Sequence, residues 1–150
     1  MKKHFCSSVI ILSTSVPAKA LLIHHKKFNA WMEPGGHMRP DENPVEAAIR
    51  EVQEETGLDV TDYFDAGTKL DDRATLVPRP AYIAEEGIDE QTHEPAHHHI
   101  DLIYSIRIPE QPVKNEESKS HDIGWFTLEQ MSQLPMLENV RVLITQEFTK

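Results

Sequence analysis

Three glutamates, Glu51, Glu54 and Glu55, are spaced i, i+3 and i+4 in the sequence. On a helix that spacing gathers them within about one-third of the circumference. They lie in the last two turns of the helix read below, where the macrodipole is negative. A carboxylate there costs on the order of 0.3–1 kcal/mol before any mutual repulsion. A sequence selected for folding alone would place lysine or arginine at this end. A divalent cation between the three carboxylates removes both penalties, and hard oxygen ligands suit Mg²⁺ or Mn²⁺. The plainer alternative is a solvated acidic face, partly neutralised by Arg50 against Glu46 and Glu54.

The helix that carries these residues is well signposted. Asn43 is placed to be its N-cap, Pro44 suits the first helical position and Glu46 completes a capping box. Gly57 suits a left-handed residue just past Thr56. Val45, Ala48, Ile49 and Val52 form one apolar stripe to bury. Ahead of it, Glu33-Pro34-Gly35-Gly36 is a turn signal. Phe5 to Leu12 and Ala20 to His24 read as strands, and Tyr63 to Leu70 as strand-like. Gly87 to Ala96 is polar and acidic and reads as a loop. His97 to Ile108 alternates, with Ile100, Leu102, Tyr104, Ile106 and Ile108 on one face. His97, His99, Asp101, Ser105 and Arg107 share the other. Trp125-Phe126 sits in a short strand, and Leu128–Leu134 and Leu137–Phe148 read as helices separated by Pro135. This mixture of strands and helices implies an α/β or α+β sandwich.

Read outward from the glutamates, the sequence runs Gly36, five residues, Glu42, seven residues, then Arg50-Glu51-Val52-Gln53-Glu54-Glu55-Thr56-Gly57-Leu58. This resembles the Nudix box, G-x5-E-x7-R-E-U-x-E-E-x-G-U with U aliphatic, at every specified position. Pro34-Gly35, Trp31 and Trp125-Phe126 are similar to further features of the family. The resemblance implies an α/β fold, a Nudix-type α/β/α sandwich with a mixed β-sheet and a catalytic loop–helix–loop. It implies hydrolysis of a nucleoside diphosphate linked to a moiety X, with Mg²⁺ as cofactor. Carried over residue by residue, Glu51, Glu54 and Glu55 look like metal ligands, joined by the Gly36 carbonyl. Arg50 is similar to the arginine that orients the catalytic glutamate. Glu51 is the first candidate for the base, and Glu42 is the outlying box acid.

A further acidic ligand from a loop before the late tryptophan strand is expected at Glu117 or Glu116, with His121 and Asp122 as alternatives. His97, His99 and Asp101 are read as substrate contacts. A polar, solvent-facing strand edge and a dedicated transition-metal site remain the other readings of that cluster. Arg73, Arg79 and Arg107 are open between phosphate contacts and surface charge. The markers that divide the family by substrate are missing; about sixteen residues past the box stands Arg73-Ala74-Thr75.

Composition sets the outer bounds. The 150 residues are about one domain's worth, so a single domain over 1–150 is expected. The formal net charge is −10, and the longest basic run is Lys26-Lys27. That is no footprint for nucleic acid, so a small-molecule nucleotide is the expected partner of a monomer or homodimer. The single Cys6 forms no internal disulfide and suits a reducing compartment. Its plain reading is a small buried hydrophobe. The N-terminus imitates a secretion signal, but serines interrupt the apolar stretch and its removal would delete a needed strand. A cytoplasmic location and no membrane association are therefore expected. Two other functions compete: a silent nucleotide-binding module, which would have lost box carboxylates, and a diphosphate isomerase, which would need Cys6 in its active site.

Overall fold

The continuous apolar run at Val9–Leu12 demands cover on both of its faces, and it receives it. In a computed structural model, which describes residues 1–115 and 120–150 and only the backbone of His121, this run lies in β1 (Lys3–Ser13). Val9 and Ile11 point into one core cluster, while Ile10 and Leu12 point into the other. β1 pairs in parallel along its whole length with β8 (His97–Ile108), from Lys3 opposite His98 to Ser13 opposite Ile108. The segment that imitates a secretion signal is thus a central strand of the sheet.

The remaining strands are β2 (Lys19–His25), β3 (Ala30–Met32), β4 (Gly35–His37), β5 (Thr68–Lys69), β6 (Thr75–Leu76), β7 (Tyr82–Ile88) and β9 (Ser120–Thr127). The main sheet runs β3-β2-β1-β8-β7, with β4 also on β1 and β9 also on β2. Every pairing except β1–β8 is antiparallel. β5 and β6 form a separate two-stranded ribbon.

The helices are α1 (Pro44–Thr56), α2 (Leu128–Met131) and α3 (Glu138–Phe148). α1 covers one face, burying Val45, Ala48 and Val52 against Val9, Ile11, Tyr104 and Ile106. Met131 of α2 and Val140 and Ile144 of α3 cover the other, against Ile10, Leu12, Leu22 and Ile103. The result is the expected α/β/α sandwich with a mixed sheet. Among the described residues no helix is long and apolar enough to cross a membrane.

Several elements differ from the sequence reading. Tyr63 to Leu70 is a 3₁₀ turn at Thr61–Tyr63, a loop, and then two residues of β5. β7 was hidden because its inward positions include Glu86 and its outward ones include Ile83, which is 68% exposed. Alternation there tracks neither polarity nor propensity. The α2 helix stops at Met131, three residues before Leu134.

Candidate active site

Each end of α1 is closed as its sequence directs. The Asn43 side chain accepts from Glu46 N–H at 2.9 Å, and the Glu46 carboxylate accepts from Asn43 N–H at 3.0 Å. Gly57 takes φ 78° and donates to Gln53 O. This left-handed conformation is one that glycine adopts without strain. The helix has no basic residue in its last turn. Glu51 and Glu55 are buried, at 4% and 1% exposure, so two carboxylates lie in the interior at the unfavourable end of the dipole.

Arg50 is the counter-ion of Glu51 and Glu54. Its Nη1 donates to Glu51 Oε1 at 2.9 Å and to Glu54 Oε2 at 3.2 Å. Its Nε and Nη2 fork onto Glu42 at 2.6 and 2.8 Å, and Nη2 also reaches His37 O at 3.0 Å. The guanidinium beside Glu42 holds that carboxyl below its ordinary value. The Arg50–Glu46 contact of the alternative, solvated-face reading does not form, because Glu46 is engaged in the capping box and Glu42 takes the fork instead.

The Gly35-Gly36 pair is fixed by close approach. A Cβ on Gly36 would lie 2.6 Å from Glu51 Oε1, and one on Gly35 would lie 2.4 Å from Ser8 Cβ. Gly35 N–H donates to Glu55 Oε1 at 2.9 Å. The turn and helix therefore meet at Glu51 and Glu55. This cradle and its oxygen-rich donors match a hard divalent cation. The carboxylates of Glu51 and Glu54 converge on one nitrogen, Arg50 Nη1.

Behind this junction, on the sheet face opposite α1, lies a second acidic group. Ser8 Oγ donates to both Asp101 oxygens at 3.0 Å, and Glu86 shares a hydrogen bond with Asp101. Glu33 is half-buried as a residue, but its Oε2 is in the interior with no hydrogen-bond partner among the described residues. Burial, reinforced by the Asp101 charge, pushes the Glu33 carboxyl up to about 7. Burial likewise raises Glu86 and Asp101, which are close enough to share a proton. Glu33 and Glu86 escaped the sequence reading. Glu33 was absorbed into a turn signal, and Glu86 depends on the β7–β8 register.

The His97–Asp101 segment is neither an edge nor solvent-facing. β8 lies between β1 and β7, and His97 and Asp101 are 1% and 6% exposed. His99 packs edge-on to His37, 5.0 Å between ring centroids, and His37 follows Gly36 in the turn. The pair of His99 and Asp101 therefore stands beside the turn that cradles Glu51. Burial, with His37 and His97 nearby, lowers His99 to about 4, and burial beside His4 also lowers His37.

Other expected residues fall elsewhere. Arg107 donates to Glu147 O and Lys150 O, so it caps the end of α3 rather than meeting a phosphate. Arg73 and Arg79 are exposed. Arg79 lines a groove by the β5–β6 ribbon. Asp122 is exposed and accepts from Ile123 N–H. Glu116, Glu117 and the His121 side chain lie outside the described residues. Cys6 is buried, and burial, with the charges of Asp101, Glu86 and Glu51, pushes its thiol far above the ordinary value. It is an inert core thiol, which removes the nucleophile an isomerase would need.

The NUDIX domain model matches residues 4–148. The chain belongs to the Nudix family. A NUDIX-family hydrolase from Clostridium perfringens has the same fold, with a TM-score of 0.75 and 26% identity over 99% of this chain and 98% of its own. A probable DHNTP pyrophosphohydrolase from Lactococcus lactis is 31% identical over 111 residues, 74% of this chain and 57% of its own length. Saccharomyces cerevisiae mRNA-decapping enzyme subunit 2 is 44% identical over 48 residues, 32% of this chain and 5% of its own length. The chain thus spans from a small fraction to little more than half of these curated Nudix relatives.

Proposed function

We propose that the chain works as one domain, a pyrophosphohydrolase that cleaves a phosphoanhydride bond in a nucleoside diphosphate linked to a further moiety. In this reading Glu51, Glu54, Glu55 and the Gly36 carbonyl hold Mg²⁺, with Mn²⁺ as an acceptable substitute, and Glu117 supplies a further ligand. The observation that carries it is the junction itself. Glu51 lies tight against Gly36 while it and Glu54 converge on Arg50. The Lactococcus relative, named as a probable pyrophosphohydrolase, supports the same reaction class.

A cation held by these residues would supply neutralisation of diphosphate oxygens and a lowered pKa for the attacking water. Glu51 would take the proton from that water. Arg50 keeps the Glu51 carboxylate oriented through its 2.9 Å bond, and Glu42 keeps Arg50 in place. The net charge of −10 repels a polyphosphate, so the attraction must be local and cationic. His97, His99 and Asp101 form the wall beside the turn against which the rest of the substrate is read.

The test is release of phosphate, pyrophosphate or nucleotide from a panel of nucleoside triphosphates, dinucleoside polyphosphates and nucleoside diphosphate sugars with Mg²⁺. Mg²⁺-dependent cleavage of at least one member is expected. Tight binding across the panel without cleavage would instead mark a binding module.

A further inference from the structure

β1, β4 and β8 bring four histidines together on the sheet face opposite α1. His4 is the register partner of His99, and His37 is the partner of Cys6, two residues further along β1. His97 precedes His99 by two residues on β8, so all four side chains project to the same side. One ring nitrogen from each of His4, His37, His97 and His99 lies within 4.8 Å of the others. Among the described residues this is the one group of histidine, cysteine and acidic side chains drawn that close.

We propose that these four imidazoles are a second metal site, built for a borderline transition ion such as Zn²⁺ rather than for Mg²⁺. Tetrahedral coordination at about 2.0–2.1 Å requires nitrogens about 3.3 Å apart, and His97 Nε2 and His99 Nε2 already stand at 3.1 Å. His97 Nδ1 lies 2.9 Å from Pro95 O. Donation to that carbonyl fixes the tautomer and turns the Nε2 lone pair towards the other rings. That is the arrangement by which metal-bound histidines are usually held. Imidazole donors favour Zn²⁺, Cu²⁺ or Ni²⁺, whereas Mg²⁺ prefers the oxygens of the box.

Two further contacts support the assignment. Glu94 Oε1 lies 3.5 Å from His97 Nε2, which puts a carboxylate at the rim to balance charge. His37 accepts from Arg50 through its carbonyl, so the site abuts the box helix without sharing its carboxylates. The inference deepens the proposed reaction, because His97 and His99 then meet substrate phosphates through the ion. It does not require that reaction to be correct.

The experiment is a Co²⁺ and Zn²⁺ titration of the metal-stripped full chain in excess Mg²⁺. It is read by the visible Co²⁺ spectrum and by metal content after dialysis. One ion per chain is expected, with a tetrahedral Co²⁺ spectrum. His37→Ala and His99→Ala should weaken binding roughly 100-fold or more, since even outer-shell partners cost 10–100-fold. Glu54→Gln should leave it unchanged. Circular dichroism checks folding, and His37, which is exposed, decides the matter if His99→Ala unfolds. Absence of Zn²⁺ binding in excess Mg²⁺ overturns the proposal. So does loss of binding in Glu54→Gln comparable to that in the histidine variants, which would assign the ion to the box. Hydrolysis can fail while Zn²⁺ binding persists, so this result and the failure of the proposed reaction are separable.

Discussion

Replacing Arg50 by lysine probes the box through its least redundant residue. The guanidinium makes five hydrogen bonds, two to Glu42 and one each to Glu51, Glu54 and His37 O. Side-chain exposures are 16% for Arg50, 12% for Glu42 and 5% for Glu51, so most of this network is shielded from water. Lysine keeps the charge but not the fork. Removing a buried partner outright costs about 3–5 kcal/mol, because the remaining charge is stranded. With the charge retained and Glu54 still near water, about 2–3 kcal/mol is expected for Arg50→Lys in chelator. For a domain of this size that lowers Tm by roughly 5–10 °C. Millimolar Mg²⁺ should return part of the loss, because a cation at Glu51 and Glu54 replaces their lost neutralisation. It should not restore the share owed to Glu42. Urea and thermal melts of parent and variant, with and without Mg²⁺, measure all of this. A loss under about 0.5 kcal/mol in chelator, typical of a surface charge, would refute the reasoning.

Gly36→Ala should lower turnover at least about tenfold and cost roughly 1–3 kcal/mol of stability, because its Cβ would sit 2.6 Å from Glu51 Oε1; activity and melting assays together check this. The raised carboxyl at Glu33, with Glu86 also raised, favours the protonated form in the fold. Their contribution is therefore complete below the unfolded value near 4.5 and is lost as pH rises through about 7 to 8. The metal-free protein should lose about 1–3 kcal/mol per group between pH 5 and 8. Glu33→Gln should flatten that slope in denaturation series, and an unchanged slope would remove Glu33 as its source.

What could be read beforehand was whatever local chemistry fixes. Asn43, Pro44, Glu46 and Gly57 set the ends of α1 by contacts within a few residues, and the structure reproduces all of them. Phe5 to Leu12 declared a strand by its residue types, and the structure buries Val9–Leu12 on both faces. The rest depends on long-range register. Glu86 meets Asp101 only because β7 pairs antiparallel with β8. His4 and His37 reach His97 and His99 only through two further pairings of β1. In sequence, His97-His98-His99 stood out as a cluster, while two of the four converging rings were isolated histidines 60 or more residues away. Arg107 stayed open between a phosphate contact and a surface charge for the same reason: its acceptors are carbonyls at the far end of the chain.

The central claim is that the α1 carboxylates make this chain a divalent-cation-dependent hydrolase. The most direct measurement is the Mg²⁺ dependence of turnover on the best panel substrate, for the parent and for Glu54→Gln. Glu54 is the box glutamate nearest water, with a side-chain exposure of 32%, so its replacement should leave the fold intact. The removed charge opposes the helix dipole, so stability in chelator should hold or rise slightly. No turnover in chelator and saturable activation of the parent by Mg²⁺ are expected. The variant should lose roughly 100-fold or more in kcat without a fall in Tm. Turnover that persists without a divalent cation, or a variant within a few-fold of the parent, would contradict the claim.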